Sequence, residues 1–300
     1  MSTHVTESLI VLGSASRDYT VVVDRHPNPG ETLLGGDIVT GNGGKGANQA
    51  VAAARATVHP TFLGSFGNDT TGHELIADLS AHGVNIDHVA ITSDAPTGVA
   101  LITVARSGEN SIVVAAGANA HLDADDTASA IAELAGPATI VLAQLEIPLA
   151  TVIAAADATA ERGARFVLNL SPSQPVPASL LALCDPLVVN ESEASAIAGI
   201  PVVTIGDAIA VAHELLHGSK SVVITLGGEG VVVATADGVV HSPAEKVSVV
   251  DTTGAGDAFV GALAASLALG SDLHSAVARG TQAGALAVQY LGAQPPAPRA

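Results

Sequence analysis

Large rings are scarce in this sequence, with four phenylalanines, two tyrosines and no tryptophan among 300 residues. Its core must therefore come from many small side chains packed closely. The supply is there, since 48% of the residues are apolar and Ala, Val and Gly dominate them. Cysteine is nearly missing too. The lone Cys184 excludes an internal disulfide and fits a reducing, cytoplasmic compartment. It lies in the apolar stretch SLLALCDPLVV with no histidine nearby, which reads as a buried structural thiol rather than a nucleophile. Positive charge is short as well. Lysine occurs three times, at Lys45, Lys220 and Lys246, and the formal net charge is −18. Such a surface repels phosphate backbones and argues against a nucleic-acid partner. No apolar run reaches the length of a membrane span, and MSTHVTES lacks the basic-then-apolar pattern of a signal peptide. The eleven histidines form no HExxH motif and no Cys/His cluster, which argues against a catalytic zinc.

What is present is alternation. Residues 8–16, SLIVLGSAS, read as a buried first strand. YTVVVDRHPNPGE is β-rich and closes in a Pro/Gly turn, and 32–41 reads as a further extended piece. GNGGKGANQAVAAARA opens with glycines and continues into an Ala-rich helix. VHPTFLGSFG reads as a strand with its loop, and DTTGHELIADLSAHG as a helix that Asp69 can cap and Gly83 can end. Residues 98–106 and 111–116, joined by SGEN, predict a hairpin. Further on, strands at about 138–143, 165–170, 186–189 and 221–226 are separated by helices at about 148–162, 191–199 and 206–218. GVVVATADGVVHS predicts a hairpin on an Asp-Gly turn, and helices at about 255–269 and 272–290 close the chain. Strand and helix in alternation predict one α/β domain over 1–300, with a mostly parallel sheet covered on both faces. The β-rich pieces at about 16–41 and 98–116 fall outside that alternation and predict a small separate sheet, a lid.

DTTGAGDAFVGAL, residues 251–263, carries the strongest chemical signal. Glycines ahead of a helix let backbone N–H groups converge, and the helix dipole adds positive charge there. Gly254, Ala255 and Gly256 thus suit an anion hole for a phosphoryl group in transfer. Asp257, in the first turn, is either a plain helix-start acid or the base that takes the proton of an attacking hydroxyl. Two look-alikes fail on context. Gly41-x-Gly43-x-x-Gly46 does not follow the first strand, and no acidic residue sits on a second strand end about 20 positions on. Gly43-Gly44-Lys45 has Gly46 where a P-loop needs Ser or Thr.

The string Asp-Thr-Thr-Gly-Ala-Gly-Asp resembles the second signature of the ribokinase-like family, also called PfkB-type carbohydrate kinases. Residues 35–55, GGDIVTGNGGKGANQAVAAAR, resemble its first signature, matched at Gly43, Gly44, Lys45, Gly46, Ala47 and Asn48. VLAQLEIP, VVNESEA and TLGGEG resemble further family segments, so the likeness runs almost the full length. It implies a three-layer αβα fold with a β-sheet lid that commonly forms a homodimer contact. It also implies transfer of the γ-phosphoryl of ATP to a primary sugar hydroxyl, with D-ribose the leading acceptor. Deoxyribose, another pentose or hexose, or a nucleoside stay open, as does a non-catalytic sugar-binding protein on the same fold. Scarce aromatics near 16–48 argue mildly against a nucleoside.

The resemblance assigns sugar contacts to Asp18, Gly44, Lys45, Asn48 and Glu146. Asp18 otherwise reads as a turn aspartate, and Asn48 as a helix cap. Ser16 stands where ribokinases of the family usually carry Asn, which leaves one sugar hydroxyl less tightly held or admits a different sugar. Nucleotide contacts fall to Asn190, Thr225, Gly227, Gly230 and Gly256, with Thr281 and Gln282 near the adenine region. Glu193 would hold Mg²⁺ through water, or is simply a first-turn acid. Asp251 and Thr253, with backbone near Ala287 and Gly292, match a K⁺ loop. The tail GAQPPAPRA resembles the family's end, and the resemblance leads us to expect an early stop without the family's usual final helix.

Overall fold

Strand β1 (Leu9–Leu12) has no polar side chain and is buried on both faces, as an interior parallel strand must be. The computed structural model describes residues 8–56 and 58–294. After β1 come β2 (Ser16–Val23), β3 (Ile38–Gly43) and helix α1 (Lys45–Arg55). β4 (Thr61–Leu63) and β5 (Ser65–Gly67) lead to α2 (Thr70–Ala81), whose first turn is capped by the Asp69 carboxylate. β6 (Ala90–Thr92), β7 (Gly98–Ala105), β8 (Asn110–Ala115) and α3 (Ala124–Leu134) follow. Then come β9 (Ile140–Ala143), α4 (Leu149–Glu161), β10 (Arg165–Asn169), α5 (Ala178–Leu181) and β11 (Cys184–Asn190). α6 (Glu191–Ala198), α7 (Ile205–Leu216), β12 (Val222–Thr225), β13 (Val231–Thr235) and β14 (Gly238–Ser242) continue the chain. Helices α8 (Ala255–Ala268) and α9 (Leu273–Ala287) end the regular structure described.

The main sheet has eight strands in the order β14-β13-β12-β11-β10-β9-β1-β4. From β4 to β12 the neighbours are parallel, and the β13–β14 hairpin extends the sheet antiparallel. Alternate residues feed two cores. Ile10, Leu12, Val141 and Ile224 pack with α3, α4, α6 and α7 on one face. Leu9, Val11, Leu142 and Val223 pack with α1, α2, α8 and α9 on the other. This strict period of two makes the three layers.

The lid is a second sheet, in the order β3-β2-β7-β8. Its central pair, β2 and β7, is parallel and its flanks are antiparallel. Asp18 pairs with Ala100 and Ala100 with Val114, while Thr20 pairs with Ile102 and Ile102 with Ile112. One face thus carries Asp18, Ala100, Ile102, Ile112 and Val114, and the other carries Tyr19, Leu101 and Val113.

Four expectations need correction. The first strand stops at Leu12, because the Ser14 carbonyl takes the Ala47 N–H at 2.8 Å and ties the chain to α1 instead of the sheet. The lid segment placed at 16–41 is interrupted: 24–37 is irregular, and its second strand begins only at Ile38. VHPTFLGSFG splits at Gly64 into β4 and β5, and β5 pairs with β6 in a small sheet of its own. Helix α3 fills a stretch left unassigned: Asp123 caps it, and Ile131 and Leu134 bury its inner face. The expectation of a shortened C-terminus falls largely outside the described residues.

Candidate active site

Helix α8 begins at Gly254, whose φ of 75° is left-handed. A Cβ there would lie 2.5 Å from Ala293, so only glycine fits. This tight entry turns the chain so that Asp257, three residues on, faces inward and is buried. One turn further, Gly261 lets α1 approach closely, since a Cβ at that position would lie 2.4 Å from the Gln49 carbonyl. That contact brings the α1 amides to the carboxylate. Asn48 Nδ2 donates to Asp257 Oδ2 at 3.0 Å, and Gln49 Nε2 donates to Oδ1 at 2.9 Å.

Two adjoining clefts meet at this carboxylate. One is lined by Ser14, Ser16, Asp18, Asn48, Asn119 and Glu146, with Gly44 beside them, and is roofed by the lid face bearing Ala100, Ile102, Ile112 and Val114. The other is lined by Asn169, Ser171, Asn190, Glu193, Thr225 and Gly256. Lys45, Gly254 and Asp257 border both. A group bound in either cleft therefore faces the same carboxylate and the same ammonium.

The first cleft is acidic. Ser14 Oγ and the Lys45 backbone N–H both donate to Glu146 Oε2, at 2.5 and 2.9 Å. Ser16 Oγ donates to Asp18 Oδ1 at 2.9 Å, so its hydroxyl proton is already engaged. Asn119 braces the floor with a reciprocal pair of bonds to the Ala15 backbone, at 3.0 and 2.8 Å. Burial pushes the Asp257 carboxyl above its ordinary 3.8; the Lys45 ammonium and the Gln49 and Asn48 amides oppose the rise, and Glu146 adds to it. Burial also raises Asp18, against the Ser16 donor and with Glu146 and Asp257 reinforcing the rise.

The second cleft opens on helix starts. Asn190 and Glu193 form a reciprocal capping box at the head of α6, the amide oxygen taking the Glu193 N–H at 2.9 Å and the carboxylate taking the Asn190 N–H at 2.8 Å. Glu193 is thus a helix cap, and it also lines the cleft. Among the described residues, no protein acceptor takes the N–H of Gly254 or Gly256. Ala255 differs from expectation: it lines neither cleft, and its N–H turns back to the Thr252 carbonyl at 3.2 Å. Gly227 and Gly230 border a 3-10 turn after β12 and do not line the clefts. Thr281 donates back to the Val277 carbonyl within α9, and Gln282 accepts from Arg279 on the same helix at 3.5 Å.

Asp251 ties the loop ahead of α8 to the chain beyond α9. Its carboxylate accepts from the N–H groups of Thr253 and Gly292, each at 2.9 Å, and these outweigh burial to hold it below the ordinary carboxylate value. The Ala287 carbonyl takes the Tyr290 N–H at 3.1 Å. Six polar residues here escaped the sequence reading: Ser14, Gln49, Asn119, Gln144, Asn169 and Ser171. Each is brought to the clefts or their supports by the fold rather than by a local motif. The pattern NQA after the glycine run was the one visible hint for Gln49.

A carboxylate and an ammonium shared by two clefts, with open amides at a helix start, suit the transfer of an anionic group between two bound molecules. The sequence matches the pfkB family carbohydrate kinases over residues 6–300. It is 37% identical to a ribokinase of Staphylococcus aureus, covering 97% of this chain and 96% of that one. It is 41% identical to a bifunctional ribokinase/ribose-5-phosphate isomerase A of Fructilactobacillus sanfranciscensis over 96% of this chain, but spans only 54% of that longer protein. The structure of an Arabidopsis thaliana ribokinase complexed with ribose and ATP superposes with a TM-score of 0.86 at 32% identity, covering 96% of this chain and 94% of that one. This chain belongs to the pfkB family of carbohydrate kinases, and its fold is the ribokinase fold. No described helix is long and apolar enough to cross a membrane.

Proposed function

We propose that this protein transfers the γ-phosphoryl of ATP to the 5-hydroxyl of D-ribose, giving D-ribose 5-phosphate and ADP. The observation that carries the reading is Asp257, buried at the junction of the two clefts. Ribose lies under the lid, where Asp18 and Glu146 accept its hydroxyls and Asn48 offers a donor. ATP lies across the second cleft, near Asn190, Thr225 and Gly256. Asp257 accepts the proton of the attacking hydroxyl, while Lys45 and the amides of Gly254 and Gly256 stabilise the charge spreading over the phosphoryl. The lid excludes water from the transfer. Its aliphatic roof gives a base no ring to stack on, which favours a sugar over a nucleoside.

The residues present suit two cations. Glu193 and Asn190 offer oxygen atoms that would hold a hydrated Mg²⁺ through its waters, and the ion would supply positive charge against the phosphates. For K⁺ the support is the tie of Thr253 and Gly292 to the Asp251 carboxylate, which draws the loop ahead of α8 against the chain beyond α9; a cation held there by Asp251 and Thr253, with the backbone near Ala287 and Gly292, would act by shaping the start of α8. We place the protein in the cytoplasm as one domain with its lid, and as a homodimer through the lid's outer face. Leu101 is 55% and Val113 64% exposed there, an apolar patch in need of cover. Introducing Leu101→Glu with Val113→Glu is expected to turn a dimer into a monomer in light scattering; an unchanged mass would exclude this face.

Asp257 must be ionised to act, so kcat/KM is expected to fall on the acid side, with its limb above the ordinary carboxylate value of 3.8. Asp18 shifts the same way, so the limb carries both groups. For stability the sign follows: between 3.8 and the raised values the folded state holds more protons than the unfolded, so these two groups cost stability as pH rises through that window. A limb at ordinary carboxylate pH would contradict the assignment.

The deciding experiment is a panel of ribose, deoxyribose, other pentoses, hexoses and nucleosides with ATP, Mg²⁺ and K⁺, read as kcat/KM. Ribose is expected to rank first. Because the Ser16 proton is spent on Asp18, deoxyribose is the alternative to watch. Ribose ranking well below another compound would overturn the acceptor, and sugar binding without ADP release would indicate a non-catalytic binder.

A further inference from the structure

The Asp257 carboxylate is held by a chain of buried amides that runs from the cleft into the core. Gln49 on α1 and Gln144 just past β9 are both fully buried. Gln49 Nε2 donates to Asp257 Oδ1 at 2.9 Å and to Asn169 Oδ1 at 3.0 Å. Gln144 Nε2 donates in turn to Gln49 Oε1 at 2.7 Å. Neither glutamine lines a cleft, so neither is placed to touch sugar or nucleotide.

The direction of this chain is set by chemistry. A carboxylate only accepts, so Gln49 must turn its NH₂ toward Asp257 and its oxygen away. That oxygen needs a donor, and Gln144 supplies it. The oxygen of Gln144 is then left without a partner among the described residues. A buried acceptor without a donor is destabilising and uncommon. Here it is the far end of a row of donors aimed at one acid.

We propose that Gln49, oriented by Gln144, is a positioning residue that locks the Asp257 carboxylate in its reactive rotation and in its ionised form. The inference rests on reading Asp257 as the base. An aspartate carboxylate rotates in a broad, two-fold well, so one donor on each oxygen is what fixes its plane. Asn48 holds Oδ2 but faces the cleft, where a sugar hydroxyl competes for it. Gln49 is fully buried and holds Oδ1 from behind the clefts, with its amide also on Asn169 Oδ1. The groups facing this carboxylate are Lys45 from α1, Glu146 from the loop after β9 and Asp18 from β2. Burial disfavours its charge most, Glu146 and Asp18 act in the same direction, and Lys45 with the amide donors of Gln49 and Asn48 works against them.

The test compares wild type with Gln49→Met, which keeps the length and loses the donor, and with Gln144→Met, which keeps Gln49 but frees its orientation. In Gln49→Met, kcat with ribose at neutral pH is expected to drop about tenfold, with KM for ribose and ATP held within about twofold. The acid limb of kcat moves to higher pH, because an acid stripped of a donor to its charged form protonates sooner. Gln144→Met gives a smaller shift of the same sign, and it carries the test alone if Gln49→Met fails to fold. An unmoved limb and kcat in a folded variant, or a rise in KM matching the fall in kcat, would overturn the proposal. Lack of turnover in wild type would instead remove the kinase reading beneath it.

Discussion

Asparagine in place of Asp257 is expected to lower kcat by about 10²-fold or more, the usual scale for loss of a general base. The two side chains have nearly the same shape, so the clefts keep their outline. The amide cannot take a proton from the sugar hydroxyl. It also cannot satisfy its neighbours: Asn48 and Gln49 each aim an NH₂ at the carboxylate, so an Asn there must face one donor with another. The chain of amides behind Gln49 has to adjust or leave that clash unrelieved. The loss therefore falls on kcat, while KM for ATP, whose contacts lie in the other cleft, stays close to wild type. ADP release coupled to a spectroscopic readout measures both, and circular dichroism checks the fold. Near wild-type turnover would refute the role of Asp257.

The three layers were legible because each layer writes its own period. LIVL, IVLA and VVIT are continuous apolar runs that only strands buried on both faces can use, and helices alternate with them. The glycine-flanked start of α8 was legible because a local string carries both the turn and the acid. Residues from four distant segments that the reading singled out, Asp18, Asn48, Glu146 and Asp257, line one cleft. Elements with little local signal were lost. β5 and β6 are three residues each. Ala255 was grouped with its glycine neighbours because spacing cannot tell which amide turns back on its own loop. Gln49 and Gln144 look like ordinary polar residues, since their partners stand 208 and 95 positions away. The sequence places such side chains near the right element, but only packing decides what they face.

Removing the Asp18 side chain is expected to act on the sugar and spare the nucleotide. In Asp18→Ala, KM for ribose should rise about 10²-fold while KM for ATP hardly moves. The size follows from chemistry. A hydrogen bond to a charged group contributes about 1.5–3 kcal/mol, and a carboxylate can accept from two vicinal hydroxyls at once. Against this stands the cost of keeping Asp18 charged in a half-buried site beside Glu146 and Asp257, which truncation relieves. The net of about 3 kcal/mol corresponds to roughly 10²-fold, at about 1.4 kcal/mol per factor of ten. Ser16 adds little in compensation, because its hydroxyl, freed of Asp18, has only one proton to offer. The same variant yields a second sign. Losing a nearby negative charge makes Asp257 easier to ionise, so the acid limb of kcat should move to lower pH, opposite to the shift expected in Gln49→Met. Kinetics with ribose and ATP varied in turn separate the effects. An unchanged KM for ribose would mean that the lid aspartate does not hold the sugar.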